Sequence, residues 1–131
     1  ILENTNNKKF DWTLKSHPAC IINTENYKKI KLQNSQENLK DIISKFDLVI
    51  APAATLSVLE AYLSCIKIII FLDKNELNIS PLRDFSDIKV VYDNNTMEKA
   101  LTQESLKNYT INKQDLFWYN KNLVLWKKIL I

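Results

Sequence analysis

Glycine is missing altogether from the 131 residues. That excludes both a GxGxxG turn and a Walker loop within this stretch, because each needs backbone that approaches phosphate without a Cβ in the way. Any phosphate contact has to come from helix N-termini and side-chain hydroxyls. Histidine occurs once, and cysteine only at Cys20 and Cys65. This argues against a zinc site and against a disulfide framework. Both cysteines stand in apolar sequence and are expected as buried free thiols of a cytosolic protein. No apolar run reaches the roughly 18 residues of a membrane span; the longest, Ile66 to Leu72, is interrupted by Lys67. The first residue is Ile, and no secretory h-region follows, so the chain is expected to be a piece of a longer protein.

Hydrophobic residues make up 46% and charged residues 25% of the chain, the balance of one globular domain with a core of its own. The formal charge of +3 favours an anionic ligand or an acidic membrane surface only mildly and is far from a nucleic-acid signature. Residues 1–9 are polar and read as a linker or the end of an upstream helix. Phe10 to Ser16 alternates as a strand, with Trp12 and Leu14 on one face, and stops at His17-Pro18. A brief strand is expected around Ile30 to Leu32. Asn34 and Glu37 have capping-box spacing ahead of Leu39, Ile42, Ile43 and Phe46, which recur at helical period. Asp47 to Ala51 reads as a buried strand, followed by a helix with Leu56, Leu59 and Leu63 in register. Ile66 to Leu72 reads as a central parallel strand, and 73–87 as a long polar loop. Ile88 to Tyr92 is a further strand, and Asn95 with Glu98 marks another helix start. Residues 113–131 carry Leu116, Tyr119, Leu123, Trp126 and Leu130 at 3,4 spacing, a helix packing on this domain or on a missing half. Strands alternating with helices predict an α/β fold with a parallel sheet over 10–112.

In such sheets, ligands bind beyond the carboxyl ends of the strands, and three polar turns fall there. His17 can donate to a phosphate oxygen, with Pro18 pinning the turn; equally, it is a satisfied turn residue. Thr55 and Ser57 open the helix after Asp47 to Ala51. Their hydroxyls make an anion cradle or an ordinary cap, and the two are compatible. Glu60 either completes a capping box with Ser57 or binds ribose hydroxyls, and spacing does not choose. Asn78, Ser80 and Arg83 form a loop in which the guanidinium either clasps an anion or is simply solvated.

In this order, Lys15-x-His17-Pro18, Asp47 to Ala61, the Ile66 to Leu72 strand and Asn78-x-Ser80-Pro81-Leu82-Arg83 together resemble the C-terminal, nucleotide-sugar-binding half of a GT-B glycosyltransferase. The likeness is to bacterial enzymes of capsule, lipooligosaccharide and O-antigen synthesis, with features shared by bacterial sialyltransferases. It implies a Rossmann-like three-layer open parallel sheet, incomplete at the N-terminus. It also implies that His17, Pro18, Thr55 and Ser57 surround the donor phosphate, that Glu60 holds the ribose, and that Asn78, Ser80 and Arg83 lie on the donor side. The nucleotide-sugar is the substrate and no cofactor is implied; the absence of an Asp-x-Asp motif agrees with metal-independent transfer. The implied partners are the donor and an N-terminal acceptor-binding half, which usually supplies the catalytic base. The whole protein is expected in the cytoplasm at the inner face of the membrane, with this piece inactive alone. Two alternatives stand beside it: a sugar-nucleotide 2-epimerase of the same fold, and a non-catalytic interaction module whose partner face is the aromatic stripe around Trp118 and Trp126.

Overall fold

The computed structural model describes residues 10–102, apart from 18, 21, 28 and 31, together with residue 128. The predicted linker at 1–9 and the helical tail at 113–131 therefore lie outside the described residues, residue 128 apart. The centre of the fold is the strand Lys67–Phe71, fourth in chain order and labelled β4. Its Ile68, Ile69 and Ile70 have no solvent exposure, as expected of a β-branched run covered on both faces. Beside it lie β3, Leu48–Pro52, and β5, Lys89–Val91. The three pair in parallel in the order β3-β4-β5, with Leu48 opposite Lys67 and Ile69 opposite Lys89.

Side-chain alternation splits β4 between two cores. Ile68 and Ile70 pack with Ile43, Val58, Ala61, Tyr62 and Leu82. Ile69 packs with Val91, Met97 and Ala100. The first set comes largely from α1 with its 3₁₀ extension (Leu39–Ile42, then Ile43–Lys45) and from α2 (Ser57–Leu63); the second comes from β5 and from α3 (Asn94–Thr102). Earlier in the chain, β1 (Trp12–Lys15) pairs in parallel with β2 (Leu32–Ser35) as a separate two-stranded sheet. A 3₁₀ turn at Thr24–Asn26 lies between them in sequence. The architecture is thus mixed α/β with parallel strands, and no strand ladder joins the two sheets among the described residues. Among those residues, too, no helix is long and apolar enough to cross a membrane.

Helix starts differ from the capping-box expectations. Asn34 is drawn into β2 by pairing with Leu14, so it cannot cap a helix; α1 begins at Leu39, where the Asn38 amide donates to Asp41 at 3.3 Å. Ser57 is already helical, and its N–H donates to Thr55 Oγ1 at 3.2 Å, so a Thr55 side-chain turn leads into α2 and no Ser57–Glu60 box forms. At α3 the reciprocal pair is Asp93 with Thr96: Asp93 Oδ1 accepts from Thr96 N at 2.9 Å, and Thr96 Oγ1 accepts from Asp93 N at 3.0 Å. The box sits two residues ahead of Asn95 and Glu98, because the helix starts as soon as β5 ends.

The apolar face of α2 is also corrected. Leu56, before the first turn, is 72% exposed and Leu63 is exposed; of the expected stripe only Leu59 packs partly against the core, and the buried residues are Val58, Ala61 and Tyr62. Two apolar stripes run along this helix, and the one containing Ala61 lets it lie close to the sheet. Both cysteines are exposed rather than buried. Cys65 ends α2 with φ of 60°, the left-handed position of a Schellman turn. Its N–H donates to Tyr62 O, and Ile66 N donates to Ala61 O, each at 3.0 Å. A chain without glycine has to place a Cβ here, at a cost of about 1 kcal/mol. Cys65→Gly is therefore expected to raise stability by about that amount, seen as a higher urea midpoint at unchanged slope. A midpoint that stays put or falls would show that the left-handed turn is not strained.

Candidate functional site

Past the strands, Ala53 N donates to Phe71 O and Leu72 N to Val91 O, each at 3.0 Å. The chain segments following β3, β4 and β5 therefore leave one sheet edge side by side, at the carboxyl ends where α/β sheets take ligands. In the first turn Thr55 N donates to Pro52 O at 3.3 Å. The Thr55 hydroxyl donates to Ser57 Oγ at 3.2 Å while accepting from Ser57 N. Both residues are half-buried. The turn spends the Thr55 proton and the Ser57 N–H on itself, which leaves the Ser57 hydroxyl proton for an outside acceptor.

In the second segment, Asn78 Oδ1 accepts from Ser80 N at 3.1 Å and Ser80 Oγ accepts from Leu82 N at 3.2 Å. These are successive side-chain-closed turns. Arg83 N then donates to Ser80 O at 3.1 Å. Residues 73–87 form a loop, as expected, but Ser80 and Leu82 within it are fully buried and plug the core. The Arg83 side chain is exposed and pairs only loosely with Asp84, at 3.6 Å. The guanidinium is thus available to solvent, while the Ser80 oxygen is occupied in shaping the turn.

The third segment carries a feature that sequence spacing does not announce. Lys74 Nζ, from the loop after β4, lies 2.8 Å from Asp93 Oδ2 at the start of α3. The Lys74 hydrogen bond, and then those from Thr96, hold the Asp93 carboxyl far below its ordinary value of 3.8. The Asp93 hydrogen bond and charge in turn raise Lys74 above its ordinary 10.5. A depressed carboxyl contributes stability above the unfolded value and loses it as pH falls; a raised ammonium contributes below its unfolded value and loses it as pH rises. The pair's contribution is therefore level between about pH 4 and 10 and fades outside that window. Asp93→Asn is expected to flatten the fall of thermal midpoint below pH 4. If wild type and variant fall in parallel, the pair carries no linkage.

His17 follows β1 and is exposed. Its Nδ1 accepts from Ala19 N at 3.1 Å, and its carbonyl accepts from Cys20 N at 2.9 Å. Pro18 lies outside the described residues. Glu60 is exposed on α2 and lines an open groove of about 510 Å³ with Asn38, Leu39, Lys40, Ile43, Leu63 and Ser64, between α1 and α2. The structure thus brings Thr55 to Ser57 and Asn78 to Ser80. No hydrogen bond or ion pair among the described residues connects His17, Glu60 or Arg83 to the Thr55 turn. Leu56, Leu77, Ile79 and Tyr92, from the three segments after β3, β4 and β5, are all exposed, so apolar side chains rim that edge. Among the described residues no three His, Cys, Asp or Glu side chains group as metal ligands.

No family model, curated protein or solved structure matches this chain.

Proposed function

We propose that this chain is the donor-binding part of a glycosyltransferase that uses a nucleotide-sugar to build bacterial surface polysaccharide. Its finer fold is then a Rossmann-like half, and cores on both faces of β4 support that architecture. The observation that carries the reading is the Thr55–Ser57 hydroxyl pair, half-buried in the turn that leaves β3. It lies at the edge where parallel strands end and α2 begins. A phosphate resting there would accept from the Ser57 hydroxyl and lie along the positive end of α2. His17 would add a nitrogen donor. In transfer, an acceptor hydroxyl attacks the anomeric carbon while the bond to the leaving phosphate breaks. The donors that meet the growing negative charge on that phosphate lower the barrier.

The experiment is titration of the chain with CMP, CDP, UDP and GDP, followed by amide NMR. At least one nucleotide is expected to move the amides of Thr55, Ser57 and His17 together, with weak affinity. Shifts confined to Glu60 and the α1–α2 groove, or silence to millimolar ligand, would overturn the proposal. A second reading, a non-catalytic interaction module, draws on the exposed Leu56, Leu77, Ile79 and Tyr92 at the same edge. In that case the nucleotides leave every amide unmoved, and polar substitutions at Leu77 and Ile79 abolish the cellular role.

A further inference from the structure

Two serines, Ser80 and Ser16, are the buried residues of polar class among the described residues. Ser80 is accounted for by its turn. Ser16 stands immediately before the lone histidine, and its hydroxyl crosses from the end of β1 to Asn34 Oδ1 on β2 at 3.3 Å. Its carbonyl accepts from Lys15 Nζ at 3.0 Å. Both ends of the residue that launches the His17 turn are therefore tied down, one by a neighbouring strand and one by an ammonium. A buried hydroxyl without its acceptor is costly, so the pair resists local rearrangement.

Beyond it, the Ala19 N–H points at His17 Nδ1. A nitrogen that accepts a hydrogen bond cannot carry the proton, so the neutral ring is protonated on Nε2. We infer that Ser16 and Asn34 are positioning residues for His17, holding the turn so that the Ala19 amide locks the imidazole as its Nε2–H tautomer and leaves one N–H donor for an anion such as a nucleotide phosphate. In this tautomer Nδ1 is taken up by the Ala19 N–H and is not available as a base. The use of that donor for a phosphate rests on the donor-domain proposal; the positioning itself does not.

Histidine occurs once in the chain, so long-range ¹H–¹⁵N correlation spectra contain a single imidazole. At alkaline pH the ratio of Nε2–H to Nδ1–H in the folded chain is expected to exceed that of the urea-unfolded chain by about fivefold, the effect of one net hydrogen bond. Ser16→Ala and Asn34→Ala should each bring the ratio back toward the unfolded value, whereas Asn34→Asp, which keeps an acceptor, should retain it. Asn34 is exposed, so its variants stay informative if Ser16→Ala fails to fold. A wild-type ratio equal to the unfolded one, or full bias in Asn34→Ala, overturns the inference even if nucleotides bind. A biased ratio whose Nε2 signal is unmoved by CMP, CDP, UDP and GDP leaves the positioning intact and removes the donor-domain proposal instead.

Discussion

Ile70→Ala is expected to destabilise the chain by about 4 kcal/mol, near the top of the range for a buried isoleucine. Ile70 has no exposure and sits on β4 opposite both Ala51 and Val90. On its face it packs in the cluster formed by α1 and α2. The strand is held on both sides and both helices are already seated, so the cavity has little room to collapse. Ile70→Val, which removes one methylene, should cost only about 1 kcal/mol. Urea unfolding of both variants gives the comparison. A loss below about 1 kcal/mol for the alanine variant would mean that the β4 core is far looser than its burial indicates.

The second large effect separates two neighbours in the Asn78-to-Arg83 segment. Leu82→Ala is expected to cost about 3 kcal/mol, because Leu82 is fully buried in the same cluster as Ile70. Arg83→Ala should change stability by no more than about 0.5 kcal/mol, since both Arg83 and its partner Asp84 are exposed and 3.6 Å apart. Nucleotide titration of Arg83→Ala then bears on function alone. If the shifts at Thr55 and Ser57 weaken while the unfolding midpoint stays the same, Arg83 acts on the donor side. If neither changes, the segment serves the core through Ser80 and Leu82, and its likeness to a donor loop is structural only. A costly Arg83→Ala together with a harmless Leu82→Ala would contradict the burial pattern itself.

Some of these features were legible in residues, others not. The β-branched run Ile66 to Leu72 could only be a strand buried on both sides, and it is. Period-2 alternation placed Trp12 and Leu14 together, and their half-burial agrees. Capping was less legible because Ser, Thr, Asn and Glu are frequent enough that several boxes overlap at each helix start. Which one forms depends on where the preceding strand stops. The α2 face was legible only at Leu59, which packs partly on the core, for a similar reason. Leu56-Leu59-Leu63 and Val58-Ala61-Tyr62 are both apolar at helical spacing, and only the sheet's position selects the second. The cysteines were misjudged because apolar neighbours in sequence are not neighbours in space: Cys65 is thrown outward by the left-handed turn that ends α2.

Within the candidate site, the hydroxyls of Thr55 and Ser57 were visible from their place between a strand and a helix. The Lys74–Asp93 pair was not, since nineteen positions of chain separate residues joined only when β4 and β5 align. The same holds for Ser16 and Asn34, which meet through the register of β1 with β2. By itself the order of residues determined the alternation of strands and helices from β3 to α3 and the exclusion of glycine-dependent phosphate loops, because these follow from local period and from the presence or absence of Cβ; the strand at Leu32–Ser35 and the division into two parallel sheets did not follow from it. Only the tertiary structure decided which helix face is buried, which cap forms and which polar side chains meet, because each depends on strand register and on how closely a helix approaches the sheet.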